Sequence, residues 1–108
     1  MLDDDGYPTD EALDLIAKWD FKDIHGWFEF IQSLWALTDW NIEDATHDIT
    51  HRPITRYTMS TGGWSGNEDL IGAMQQHWIL WNLTWVQSRR GGHYIFEDPR
   101  YGWSEEYA

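Results

Sequence analysis

Apolar residues in the first third of the chain recur every three or four positions, a spacing that is typical of amphipathic helices. The first predicted helix covers residues 10–19, with Thr9 or Asp10 as its N-cap. The second covers about residues 24–37 and is capped by Asp23. Its apolar face consists of Ile24, Trp27, Phe28, Ile31, Leu34 and Trp35. The second helix is therefore expected to carry the core.

Extended chain is predicted in the second half. Residues 54–61 are rich in β-branched and aromatic side chains, which favour strands. Apolar and polar residues alternate over residues 78–86, and a shorter aromatic run follows at residues 93–97. Because the turn residues Arg90-Gly91-Gly92 separate these two runs, we expect them to pair as a hairpin.

The remaining segments are one helix and one ambiguous stretch. Ser65 followed by Glu68 fits a capping box, which predicts a helix over about residues 66–76. For residues 40–51 we expect irregular chain, with a strand near residues 40–44 as the alternative. The order of elements predicts an α+β fold, in which an antiparallel sheet of three or four strands has two or three helices packed on one face.

The length of 108 residues suits a single domain, and no linker divides it. Within it, residues 1–8 are expected to be a mobile acidic leader and residues 99–108 a polar aromatic tail. No apolar run approaches the length of a membrane span, and the N-terminus is acidic where a signal peptide would be basic. We therefore expect a cytoplasmic protein without a membrane partner. The absence of cysteine excludes disulfides, thiolate catalysis and Cys-type zinc sites.

Charge is distributed unevenly along the chain. There are 19 acidic and 7 basic residues, and residues 1–50 hold −11 of the net −12. A surface this negative repels nucleic acid and anionic lipid and attracts basic partners. We therefore expect no direct nucleic-acid binding and a partner with a basic surface, contacted by the first two helices. The candidate contact residues are Asp14, Asp20, Asp23 and Glu29.

Tryptophan is several-fold more frequent than usual, with nine residues. Four of them fall on predicted apolar faces and are assigned to the core: Trp27, Trp35, Trp81 and Trp85. Four others fall at the edges of elements or in loops: Trp40, Trp64, Trp78 and Trp103. Because exposed tryptophan is over-represented at binding hot spots, at least one of the second four is expected to be an interface anchor.

One run of residues has metal-ligand spacing. Asp44, His47, Asp48 and His51 form the pattern D-x-x-H-D-x-x-H, which on a helix would bring two imidazoles and a carboxylate together. The H-E-x-x-H context is absent, and a polar loop with exposed histidines is the reading that we favour. No metal and no other cofactor is therefore expected.

The segment STGGWSGNE, residues 60–68, leads from a strand through glycines into a helix. Free N–H groups at the start of a helix can hold a phosphate, but Ser65 and Glu68 are suited to occupying those donors themselves. We interpret the segment as a structural turn. The alternative is that Trp64 and Asn67 project into a small pocket.

The predicted hairpin tip is the one basic spot of an acidic chain. Arg89, Arg90 and His93 cluster there beside two glycines, and they could bind a phosphate or a carboxylate. A solvated turn, or pairing with the acidic half, is the interpretation that we favour.

The turn T-G-G-W-S-G-N-E, the helix after it, the aromatic strand and the hairpin R-G-G-H-Y-x-F occur together over about residues 58–97. In this combination the chain resembles a group of small, uncharacterised tailed-phage proteins. The resemblance implies a phage or prophage origin, and hence the bacterial host cytoplasm. It implies no chemistry for any residue.

Three functions remain open at this point. The first is a non-enzymatic phage accessory protein that binds and inhibits or modulates a host or defence protein, in one form as an acidic mimic of nucleic acid. The second is a small ligand-binding or enzymatic domain built on the glycine turn and on Arg89, Arg90 and His93. The third is a virion or assembly component. Because no arrangement of Ser, His and Asp indicates catalysis, we favour the first.

Overall fold

The computed structural model of the protein describes residues 1–36 and 39–99. The elements are α1 (Asp10–Ala17), α2 (Ile24–Leu34), β1 (Trp40–Thr46), β2 (Pro53–Ser60), α3 (Ser65–Gln76), α4 (Trp78–Thr84), β3 (Trp85–Arg89) and β4 (His93–Asp98). The four strands form one antiparallel sheet in the order β1-β2-β4-β3, against which the helices pack. The predicted α+β fold is confirmed, with one helix more than expected.

Both predicted caps of the first two helices are confirmed. The side chain of Thr9 accepts the Ala12 N–H at 3.2 Å, and the carboxylate of Asp23 accepts the Gly26 N–H at 3.0 Å. These bonds satisfy donors that have no partner within the helix. Both helices end two or three residues earlier than the apolar spacing suggested, since α1 stops at Ala17 and α2 at Leu34.

The core is centred on α2, as predicted. Trp27 and Phe28 are fully buried there. The Phe28 ring stacks on Tyr57 of β2, with centroids 4.1 Å apart, and lies 5.6 Å from the ring of Phe96 on β4. Trp27 donates its indole N–H to the carbonyl of Ile16 at 3.0 Å, which ties α2 to the end of α1.

The strand predicted over residues 78–86 is wrong for most of its length, because residues 78–84 form the helix α4. His77 caps this helix, since its Nδ1 accepts the Leu80 N–H at 3.2 Å. Leu80 and Thr84 are buried at helical spacing. The predicted hairpin survives in shorter form, with β3 beginning at Trp85 and paired with β4.

Because residues 78–84 are helical, the positions of Trp81 and Trp85 differ from those predicted on a strand. Trp81 is half-buried and packs against the core, with its ring 5.2 Å from that of Phe96. Trp85 was assigned to the core but is 43% exposed, stacked on the outer side of Trp81 at 6.4 Å. A bulge between Trp85 and Gln87 interrupts the pairing with β4 at Val86.

Residues 40–46 form a regular strand, so the strand kept as the alternative for this region is the correct one. β1 pairs with β2 from Trp40 opposite Met59 to Thr46 opposite Pro53. Its other edge has no neighbouring strand in the described residues.

The capping box predicted Ser65 as the N-cap of α3, and this prediction is wrong. The cap position is taken by Trp64 without a side-chain hydrogen bond, and Ser65 is the first helical residue. The Ser65 hydroxyl instead lies 2.7 Å from the hydroxyl of Tyr7. The leader that carries Tyr7 folds back through a bridge between Leu2 and Pro8. Its predicted mobility stays a prediction, and the tail from residue 100 onward, with Trp103, lies outside the described residues.

Tyr7→Phe and Ser65→Ala each remove this one exposed hydrogen bond. We expect each to lower the free energy of unfolding by about 1 kcal/mol or less, and the double variant to lose no more than the larger single loss. Urea unfolding, monitored by circular dichroism, measures the stability of the original protein, the two single variants and the double variant. A loss above about 2 kcal/mol for Ser65→Ala alone would reinstate the capping role.

Candidate functional site

The four acidic residues proposed for partner binding are all exposed. Two of them have a basic side chain four residues away in the sequence. The Asp14 carboxylate lies 3.0 Å from the ammonium of Lys18, and that of Glu29 lies 3.2 Å from the Nε2 of His25. Exposed pairs of this kind contribute little to stability, so both carboxylates remain accessible to a stronger cation.

The other two carboxylates organise the connection between α1 and α2. Asp20 accepts the backbone N–H of Lys22 at 3.0 Å, while Asp23 caps α2 and also accepts from the indole N–H of Trp19 at 3.3 Å. Reversing the charge of Asp23 would therefore remove a cap as well as a charge. Asp23 is not a clean position for testing partner binding.

A groove of about 410 Å³ separates α1 from α3. Its acidic side chains are Asp10 and Asp14 from α1 and Glu68 and Asp69 from α3. The rest of its lining is neutral: Leu13, Gly72, Ala73 and Gln76. Lys18 is not part of the lining, but its ammonium pairs with Asp14 at 3.0 Å, so the negative field of the groove is reduced at that one carboxylate. We call this feature the acidic groove.

Asp14 is the one predicted contact residue that the acidic groove contains. Glu68 and Asp69 were not predicted, because they lie in the second half of the chain and reach α1 only through the packing of α3 against it. The sequence did show that both residues lie in the first turn of the predicted helix over residues 66–76, beside its apolar face. It did not show which other helix they would face.

Asn67 does not project into a pocket, because its amide is used inside the fold. The side chain is fully buried. Its Oδ1 accepts the Ala36 N–H at 2.8 Å, and its Nδ2 donates to the carbonyls of Ala36 at 2.8 Å and Thr61 at 3.2 Å. Asn67 thus joins the end of α2 to the glycine turn, in agreement with the structural interpretation of that turn.

Trp64 is half-buried against the N-terminal segment. Its ring lies 4.6 Å from that of Tyr7. A Cβ at position 66 would collide with the Trp64 indole, so only glycine fits beside that ring. None of these residues lines the acidic groove.

The glycine turn and the hairpin tip contact each other. Thr61 donates its N–H to the Gly92 carbonyl at 3.0 Å, and the Ser60 hydroxyl lies 2.6 Å from His93 Nδ1. Gly92 has φ +78°, and a Cβ there would collide with the Thr61 hydroxyl. Both sequence motifs therefore meet at one joint of the fold, whose close approach requires glycine.

Arg89 and Arg90 are exposed at that tip. Within residues 1–36 and 39–99 neither forms a salt bridge. The predicted pairing of this basic spot with the acidic half is therefore not seen there. The guanidinium of Arg56, by contrast, is neutralised internally.

Arg56 lies in the middle of a row of charges across β1, β2 and β4. Its guanidinium is 2.8 Å from the carboxylate of Glu97 and 3.5 Å from that of Glu43. The hydrogen bond to Glu97, helped by the negative charges of both carboxylates, raises the pKa of Arg56 above its ordinary value. Arg56 is thus held as a cation that links three strands.

The four residues with metal-ligand spacing do not share a helix. Asp44 is on β1, whereas His47 begins the turn to β2 and its Nδ1 accepts the N–H groups of Ile49 and Thr50, both at 3.1 Å. Among the residues that the structure describes, no three His, Asp or Glu side chains are placed to hold a metal ion.

No helix in the described part of the chain is long and apolar enough to cross a membrane. The chain matches no protein-family model, and no curated protein or solved structure matches it significantly.

Proposed function

We propose that the protein is a non-enzymatic binding protein whose acidic groove holds a basic segment of another protein. The observation that carries the proposal is the groove between α1 and α3, which is lined by four carboxylates, although that of Asp14 also pairs with the exposed Lys18. The net charge of −12, of which residues 1–50 hold −11, adds a long-range field that attracts a basic partner.

The kind of partner follows from the lining of the groove. Leu13 and Ala73 provide apolar surface between the carboxylates, which suits the aliphatic stem of a lysine or arginine while its charged end meets an acid. A segment with several basic side chains fits better than a single cation. In the setting that the phage resemblance implies, the partner is a host or defence protein, and binding inhibits or modulates it.

A defined basic probe tests the groove directly. An arginine-rich peptide is titrated into the protein by calorimetry at low and at high salt. We expect binding that weakens as salt rises, because screening shortens the reach of the field to about 10 Å at 0.1 M.

Two variants with equal changes of charge separate the groove from the net charge. The groove variant carries Asp10→Asn, Asp14→Asn, Glu68→Gln and Asp69→Asn. The control variant carries Asp4→Asn, Asp5→Asn, Asp44→Asn and Asp48→Asn. We expect the groove variant to bind the peptide at least about tenfold more weakly, a loss of about 1.4 kcal/mol in binding free energy. The control variant should bind it about as tightly as the original protein does.

Equal losses in the two variants would show that the groove has no role beyond the net charge. Circular dichroism of both variants establishes that the fold is kept. The narrower form of the proposal, in which the carboxylates imitate nucleic-acid phosphates, adds one expectation. A basic host protein that is captured from lysate should release its nucleic acid when this protein is added.

A further inference from the structure

A patch of large apolar side chains, none of which lines the acidic groove, is exposed on α4 and β3. It consists of Trp78, Ile79, Leu83, Trp85 and Val86. Trp78 is 68% exposed, and Trp85 stacks on Trp81, which is itself packed against the core. We call these five residues the α4–β3 patch. Adjacent exposed apolar side chains of this size are typical of protein interaction surfaces.

The α4–β3 patch lies within the longest stretch of the chain without acidic residues. Residues 70–96 contain no Asp or Glu, although the whole chain has 19. The same stretch contains Arg89 and Arg90 at the hairpin tip, which form no salt bridge in the part of the chain described by the structure. The α4–β3 patch itself is uncharged and thus lies in a neutral to basic stretch of a chain that is otherwise strongly negative.

We propose that the α4–β3 patch is the interface of a two-fold symmetric dimer of this chain. Two copies with a net charge of −12 each repel one another at most orientations. An orientation that buries the α4–β3 patch of one copy against that of the other keeps the carboxylates of both out of the contact. It also removes the exposed tryptophans from water.

The patch is also complementary to itself, which a two-fold interface requires. It carries the exposed rings of Trp78 and Trp85, and Arg89 and Arg90 follow it on the same hairpin. The guanidinium of one copy can therefore lie over an indole face of the other, and the reverse contact forms by symmetry. Tryptophan and arginine are the residues that contribute most often to binding hot spots.

The contact is expected to be made by side chains and not by strand addition. The bulge at Val86 interrupts β3, so that its outer edge offers a poor template for another strand. The opposite edge of the sheet is β1, where Glu43 and Asp44 repel the same strand of a second copy. Neither edge of the sheet therefore favours pairing with a strand of a second copy. We expect a closed dimer that is held together by side chains.

Sedimentation velocity of the full chain from micromolar to millimolar concentration tests the dimer. We expect a reversible transition from the 12.9 kDa monomer to twice that mass. The transition should move to lower concentration as salt rises, because salt screens the repulsion between the two negative copies. Binding of a basic peptide in the acidic groove has the opposite dependence on salt, so failure of one proposal is distinguishable from failure of the other.

A matched pair of variants locates the interface. Trp78→Gln removes an exposed ring of the patch, and Ile49→Gln removes the side chain that is 82% exposed in the turn between β1 and β2. We expect the dimer of Trp78→Gln to dissociate roughly 30-fold more readily, as for a hot-spot tryptophan, and that of Ile49→Gln to be unchanged.

Four outcomes would overturn the proposal. They are a protein that stays monomeric at millimolar concentration in high salt, an open-ended series of larger species, an unaltered dimer of Trp78→Gln, and equal effects of the two variants. Because both side chains are exposed, circular dichroism is expected to report the same fold for each variant. If Trp78→Gln misfolds, Leu83→Gln replaces it with the same expectations.

Discussion

Trp27→Ala is expected to lower the free energy of unfolding by about 3–5 kcal/mol, the largest effect of any substitution considered for this chain. Trp27 is completely buried between α1, α2 and His77, whose ring lies 5.7 Å away. Its removal leaves a cavity at the centre of the core. It also leaves the Ile16 carbonyl without the indole N–H that it accepts at 3.0 Å. Since small domains are stable by only about 5–15 kcal/mol, this loss is a large fraction of the total, and the urea midpoint should fall markedly.

Urea unfolding of two further variants separates the causes. Trp27→Phe keeps most of the ring volume but loses the hydrogen bond, so its loss should be clearly smaller than that of the alanine variant. Trp78→Ala removes the same type of side chain from an exposed position and should change stability by less than about 0.5 kcal/mol when measured on the monomer. A loss below about 1 kcal/mol for Trp27→Ala would contradict its place in the core.

Asn67→Leu is expected to cost about 2–4 kcal/mol, although leucine has the same branched arrangement of side-chain heavy atoms and is more apolar. The substitution leaves three backbone groups without their partner: the N–H and the carbonyl of Ala36 and the carbonyl of Thr61. An unpaired buried polar group costs about 1–3 kcal/mol, and those of Ala36 are partly reached by water.

Gln75→Leu is the matched control, because it replaces an exposed amide on the same helix. Its effect should stay within about 0.5 kcal/mol. An unchanged urea midpoint for Asn67→Leu would mean that the buried amide does not hold the turn.

The first two helices were predictable because the signals that define them are local. Thr9 and Asp23 cap the helices that follow them in the sequence, and the apolar spacing after Asp23 is unambiguous. In residues 78–85 two periods coexist. Ile79, Trp81, Leu83 and Trp85 alternate as in a strand, whereas His77, Leu80 and Thr84 recur as in a helix.

A contact from outside the segment decides between these two periods. His77 Nε2 lies 2.7 Å from the carbonyl of Trp19, 58 residues away, while its Nδ1 caps α4. A prediction from the residues near position 77 cannot include this contact, because Trp19 is too far away in the sequence. The acidic groove could be predicted only in part, for the same reason. The sequence places Asp14 on the polar face of the first helix, but that Asp14 and Asp69 line one groove depends on how α3 packs against α1.

The place of β4 in the sheet constrains how the chain folds while it is being synthesised. β4 follows β3 in the sequence but lies between β2 and β3, so that Ser60 meets His93 across 33 residues. A ribosome delivers the chain from its N-terminus, and β2 must therefore wait with one edge open until β4 has left the exit tunnel. During that interval Tyr57 and Met59 lack the strand that flanks them in the finished sheet. The growing chain is thus open to aggregation through the free edge of β2 until β4 joins the sheet.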